Sequence, residues 1–179
     1  MRAVVQFSGR CAAGLSRPAD PADNRDLTVL VGVISDTHGL LRREAVSALH
    51  GVEHILHAGD VGDPAILDRL GQIAPLTAIR GNVDRHGRSG RLPANELVEL
   101  AGRHIYLLHD LNELDLDPVA AGIAVVISGH SHNPAIDWKK NVLYFNPGSA
   151  GPRRFSLPVS LGFLDILPSE IRPRLLTIR

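Results

Sequence analysis

The stretch Val29-Leu30-Val31-Gly32-Val33-Ile34-Ser35-Asp36-Thr37-His38 joins an unbroken β-branched run to two side chains of metal-ligand type. A continuous apolar run, with no polar alternation, is what a strand covered on both faces requires. Asp36 and His38 lie two positions apart, so in an extended loop they point to the same side. A buried strand that emerges into a loop carrying a carboxylate and an imidazole sets the expectation for everything downstream.

Outward from this run the chain alternates strands and helices. The pattern predicts a helix over Leu41 to Leu49, a strand at Ile55-Leu56-His57, and a second helix from Pro64 to about Leu70. Pro64 suits the first turn of that helix, with Asp63 as its cap. A third strand follows at Leu76 to Ile79. The β-α-β-α-β order argues for parallel pairing through right-handed crossovers. Farther on, Glu96 to Leu100 alternates and Gly102 turns it into Ile105 to Leu108, which reads as a hairpin. A helix is expected around Leu114 to Ala121, then a buried strand at Ile123 to Ile127. Ala135 to Trp138 and Val142 to Phe145 flank Lys139-Lys140-Asn141 as another hairpin, and Val159 to Leu167 with Leu175 to Ile178 complete an antiparallel ending. Two sheets packed face to face with helices outside accommodate all of these elements.

Four further runs end as the first one does. Gly59-Asp60 follows the second strand, Gly81-Asn82-Val83-Asp84 the third, His109 the fifth, and Gly129-His130-Ser131-His132 the sixth. Singly, each is an ordinary turn or cap. Together with Asp36 and His38, and leaving Asp84 aside, they place two Asp, one Asn and four His at the C-terminal ends of expected strands, where open α/β sheets build their sites. Carboxylate, amide oxygen and imidazole form an N/O set suited to Mn, Fe, Ni or Zn, with Mn the first choice. Two such ions held close together are equipment for attack on a phosphate ester. Asp60, after a glycine that permits a sharp turn, is the carboxylate placed to bridge them.

This ordered set resembles the calcineurin-like metallophosphoesterase superfamily. The compact size and the Asn146-Pro147-Gly148-Ser149 stretch resemble its small YfcE-like phosphodiesterases, over about Val29 to Ile178. The resemblance implies an α/β/β/α sandwich of two mixed sheets flanked by helices. It also implies two metals, one on Asp36, His38 and His132, the other on Asn82, His109 and His130, with Asp60 between them. The catalytic set is then Asp36, His38, Asp60, Asn82 and His109, a hydroxide shared by both metals is the implied nucleophile, and Asp84 would orient a ligand histidine. Two departures stand out. Many members have His where this chain has Val83, a residue unable to do proton chemistry, which favours leaving groups that depart unaided. Asp110 replaces a usual Gly, and is expected either to repel an anionic substrate or to cap a helix. His86 could supply the missing acid, and Arg153-Arg154 could contact substrate phosphate. The remaining histidines, His50, His54, His57 and His104, read as ordinary surface or core residues.

Composition bounds the alternatives. The 179 residues are 44% hydrophobic, carry no formal net charge and contain only 4% aromatics. No general field therefore draws the chain to nucleic acid, and a nuclease would want a basic groove or stacking aromatics. The expected partner is a small-molecule phosphodiester, with no membrane, while homo-oligomerisation stays open. A single cysteine, Cys11, fits a reducing, cytoplasmic compartment. Residues 1–26, Arg-rich and acid-poor up to Asp20, have the flavour of a transit peptide, but Pro18 and Pro21 interrupt any targeting helix, so a disordered leader is the preferred reading, before a metallophosphoesterase domain over 27–179. The rival function is a protein-interaction scaffold of the retromer-subunit type, in which the metal site is degraded.

Overall fold

In the computed structural model, residues 28–154 and 156–178 are described; the expected leader and the boundary at residue 27 lie outside them. Two five-stranded mixed sheets form the centre. The first has the order β10-β9-β1-β2-β3, from β1 (Val29–Ile34), β2 (His54–His57), β3 (Leu76–Ala78), β9 (Val159–Ile166) and β10 (Ile171–Ile178). The second has the order β4-β5-β6-β8-β7, from β4 (Asn95–Leu100), β5 (Arg103–Leu108), β6 (Ile123–Ile127), β7 (Ala135–Lys139) and β8 (Val142–Asn146). β1, β2 and β3 pair in parallel, as do β5, β6 and β8, and the outer pairs of both sheets are antiparallel except at β3.

Side-chain alternation divides the apolar residues among three layers. Val31, Val33 and Leu56 point inward to meet Ile105, Leu107, Val125, Ile127 and Phe145 between the sheets. Their neighbours Ile34 and Ile55 point outward, against Leu49, Ile66, Leu67 and Leu70 of α1 (Arg43–Ala48) and α2 (Ala65–Gly71) and the turns beside them. This explains why β1 reads as an unbroken apolar run: both of its faces are covered. Asp63 caps α2, its Oδ1 accepting the Ala65 N–H at 2.9 Å.

The outer layer on the second sheet is thin. The helix expected over Leu114 to Ala121 does not form. Leu111–Glu113 makes one 3₁₀ turn, and the chain then closes a single turn in which the Ala121 N–H reaches the Asp117 carbonyl at 3.0 Å. Asp117 Oδ1 captures the Val119 N–H at 3.0 Å, and Gly122 ends the turn at φ +68°. Pro118 and the short span between these stops leave no room for propagation. Leu114 and Leu116 still cover Tyr106, Leu108, Ile123 and Val126, so the α/β/β/α order persists with its last layer reduced to turns.

One other expectation shifts at its start. β10 begins at Ile171, earlier than Leu175, because an edge strand tolerates Pro173. Both predicted hairpins form, with Ala101-Gly102 and Lys140-Asn141 as left-handed two-residue turns. Among the described residues, no helix is long and apolar enough to cross a membrane.

Candidate metal centre

The parallel strands of both sheets end on one rim. Asp36 and His38 follow β1, Asp60 follows β2, Asn82 follows β3, His109 follows β5, and His130 and His132 follow β6. The structure brings all seven together. Asp36 Oδ1 lies 3.2 Å from His132 Nε2 and 3.8 Å from His38 Nε2, and the two imidazole nitrogens lie 3.3 Å apart. Asn82 Oδ1 lies 3.2 Å from His109 Nε2 and 3.1 Å from His130 Nδ1. Between the two groups, Asp60 Oδ2 is 3.6 Å from His38 Nε2 and 3.4 Å from His109 Nε2.

Each carboxylate has one oxygen anchored and one presented. Asp36 Oδ2 accepts from Ser35 Oγ at 2.6 Å and from the His130 N–H at 3.2 Å. Asp60 Oδ1 accepts the Val83 N–H at 3.0 Å. The presented Asp36 Oδ1 is buried and has no hydrogen-bond partner, and neither has His132 Nδ1. An unpartnered carboxylate oxygen in a dry site is costly, and a divalent cation among two carboxylates, an amide oxygen and four imidazoles would satisfy it. The residues present therefore fit the metals that the sequence implied.

The backbone is bent to achieve this. Asp36, His38, Asp60, His130 and His132 all have positive φ, between 44° and 64°. The left-handed region is uncommon for residues with a Cβ, although Asp and His enter it more readily than most. It clusters where function over-determines the backbone. Glycines permit the close approach of neighbouring loops: a Cβ on Gly59 would stand 2.6 Å from His109 Nδ1, and one on Gly81 would overlap Asp60 Oδ1.

Protonation follows from the crowding. Burial pulls His109 down, yet its contact with Asp60, the Ala58 carbonyl and the charge of Asp36 outweigh this and raise it to about 9. Burial lowers His38, against the upward pull of Asp60 and Asp36; Arg154 and His132 push it further down. Asp60 is opposed by burial but lies below its ordinary value through His109 and the Val83 N–H. In the metal-free protein the cluster thus holds a proton at His109, and a cation must displace it.

One expectation is overturned and two are refined. Asp84 orients no ligand histidine. Its carboxylate accepts the N–H groups of Val61, Gly62 and Gly81, each at 2.9 Å, tying the Asp60 loop to the Asn82 loop. Asp110 does cap a turn, through Oδ1 to the Asn112 N–H at 3.0 Å, but its Oδ2 also faces His130 Nε2 at 3.7 Å. His57 is a core residue, as expected, but with a defined task. It accepts the Gly59 N–H at Nδ1, which leaves Nε2–H to donate to Thr37 Oγ1 at 3.0 Å, and Thr37 donates on to the Val61 carbonyl. Little in its sequence neighbourhood signals this: the Gly59 N–H is local, but Thr37, the partner that joins two loops, lies twenty positions away.

Asn146 is also absent from the sequence-based set. Its Nδ2 donates to the Gly129 carbonyl at 2.7 Å and to Ser131 Oγ at 3.1 Å, fixing the loop that carries His130 and His132. His86 and Arg153-Arg154 are exposed.

The family model described as the calcineurin-like phosphoesterase superfamily domain matches residues 29–168. The chain belongs to this superfamily. It is 37% identical over 161 residues to a probable metallophosphoesterase of Methanocaldococcus jannaschii, covering 82% of each. A second probable metallophosphoesterase, from Methanothermobacter thermautotrophicus, is 38% identical over 142 residues, covering 73% of this chain and 82% of the relative. The fold is similar to that of vacuolar protein sorting 29 from Cryptosporidium parvum, with a TM-score of 0.74 at 18% identity over 85% of this chain and 92% of the other. It is similar also to a structure described as a novel archaeal phosphodiesterase, with a TM-score of 0.70 at 24% identity over 83% of this chain and 100% of the other. The superfamily's divalent-metal chemistry and the cluster of ligand-type residues agree with one another.

Proposed function

We propose that this phosphoesterase is a phosphodiesterase that works with two divalent ions, manganese foremost. Asp36, His38 and His132 hold one ion; Asn82, His109 and His130 hold the other; Asp60 serves both. The observation that carries this reading is the posture of Asp60. Its Oδ2 stands between His38 and His109, 3.6 and 3.4 Å away, while Oδ1 is retained by the Val83 N–H.

Bound divalent ions at this position supply an activated water near neutral pH and neutralise charge on the phosphoryl oxygens. The chain's own residues prepare that chemistry. His109 donates from Nδ1 to the Ala58 carbonyl at 2.7 Å, which turns Nε2 into the cluster. Ser35 and the His130 N–H hold the Asp36 carboxylate with Oδ1 facing the imidazoles. The Val83 side chain offers no proton, and the residue is 45% exposed. Esters with good leaving groups are therefore the preferred class, and a protein-phosphatase activity is disfavoured.

The test is metal analysis together with a screen of phosphodiesters and monoesters against Mn, Fe, Ni and Zn. Two ions per chain and faster turnover of aryl diesters are expected. Asp60→Ala should lose both ions together and with them essentially all activity. One ion retained in that variant refutes the shared ligand; retained turnover without metal refutes the reading itself.

A further inference from the structure

Two cavities adjoin the ligand cluster, and His130 and Asp110 line both. The smaller, about 260 Å³, is bounded by Asn82, His109 and Arg80. The larger, about 320 Å³, lies beside Gly129 and His130 and is walled by Tyr144, Asn112, Asn133, Asp137 and Lys139. That volume is near the lower end of the roughly 300–1,000 Å³ typical of small-molecule sites. A phosphodiester has two organic arms, and a phosphorus atom at the cluster has a separate space for each.

The charge of the larger cavity is selective. It contains two carboxylates, Asp110 and Asp137, and one ammonium, Lys139, so it is acidic by one charge. Nor is the ammonium free, since Lys139 Nζ lies 2.9 Å from Asp137 Oδ2 and 5.1 Å over the Tyr144 ring. Asp110 keeps one oxygen on Asn112 and turns the other toward His130. The other polar groups of the wall are amides and hydroxyls, which hydrogen-bond uncharged partners. With the ion at His130 engaged by the reacting phosphate, a second phosphate placed there would meet these carboxylates, and the one side-chain ammonium of the lining is already paired with Asp137.

Resting on the phosphodiesterase reading above, we infer that this cavity takes the retained alcohol arm of the substrate and admits an uncharged or cationic polar group, not an anionic one. Asp137 and Asp110 set that preference; Asp137 is the cleaner residue to alter, because it touches none of the seven ligand residues. The natural substrate class is then a phosphodiester whose second alcohol is a polyol, a nucleoside or an amino alcohol, without a further phosphate.

Three p-nitrophenyl diesters with one leaving group test this on the metal-loaded protein. Their retained arms are choline, thymidine and 3′-phosphothymidine. KM for the first two should lie at least about tenfold below that for the third, as like-charge juxtaposition demands. Asp137→Lys should shrink or invert the difference in KM. Equal KM values for all three arms, with turnover intact, overturn the cavity assignment and leave the phosphodiesterase reading standing. A wild-type preference that Asp137→Lys leaves unmoved overturns the assignment of that preference to the cavity charge. No turnover of any ester by protein carrying two ions overturns the parent reading and this one with it.

Discussion

The two halves of the cluster differ in how they are built. Asp36, His38 and His132 are enclosed, with side-chain exposures of 0%, 12% and 10%. Beneath them, Ser149 Oγ donates to the Asp36 carbonyl, and the His57-Thr37 chain joins their loop to the Asp60 loop. On the other side His130 is 45% exposed and Asn82 is exposed, with only His109 enclosed at 6%. The enclosed half is pre-organised by hydrogen bonds that do not involve a metal. The open half faces the cavities: His130 lines both, and Asn82 and His109 line the smaller. On the two-metal reading proposed above, the contrast separates holding an ion from meeting a substrate.

The largest expected effect lies at the open half. General acid help is worth roughly 10²–10⁴-fold in rate, and Val83, exposed beside Asn82, gives none. Val83→His should speed alkyl diesters far more than aryl ones and narrow the ratio between them by at least about tenfold. An unchanged ratio in a variant that still binds two ions breaks this account of the position.

The next effect sharpens the contrast directly. Supporting hydrogen bonds are worth on the order of 10–100-fold in metal affinity, and the enclosed half has more of them. A chelator should therefore strip the two ions in two steps, the weaker first. His130→Ala should abolish the weak step and keep one ion; His132→Ala should lose the strong one. A single step in the wild type, or identical behaviour of the two variants, would erase the difference.

The remaining effect falls on stability and leaves turnover and metal affinity untouched. Burial holds His57 at about 4, below its ordinary 6.5. The folded state then binds fewer protons than the unfolded state between these values, so stability falls as pH drops from about 6.5 toward 4. At about 1.4 kcal/mol per pH unit the loss is roughly 3 kcal/mol. Urea unfolding of the metal-free protein at several pH values measures it, and His57→Asn should flatten that slope. In His109 the shift has the opposite sign, and its contribution fades as pH rises from 6.5 to about 9.

The strands were legible because burial leaves a local signature. β1 is apolar at every position and both its faces are covered, whereas β4 alternates and is half-exposed along its length. The candidate ligand residues were legible as a set because their types recur wherever such a strand ends. The missing helix at Leu114–Ala121 was not, because Asp117 and Gly122 stop a turn that composition alone would extend.

By itself the sequence determined which residues end the buried strands and which ligand-type groups they carry, since both depend on residue type and on spacing within a few positions. Only the tertiary structure decided how they are held. The left-handed backbone at Asp36, His38, Asp60, His130 and His132, the three N–H groups gathered by Asp84, and the two faces of Asp110 all depend on loops far apart in the chain. A carboxylate is a potential ligand, cap or brace wherever it stands. Which of these Asp36, Asp60, Asp84 and Asp110 each became was settled by which N–H groups and imidazoles the two sheets brought within about 3–4 Å of their oxygens.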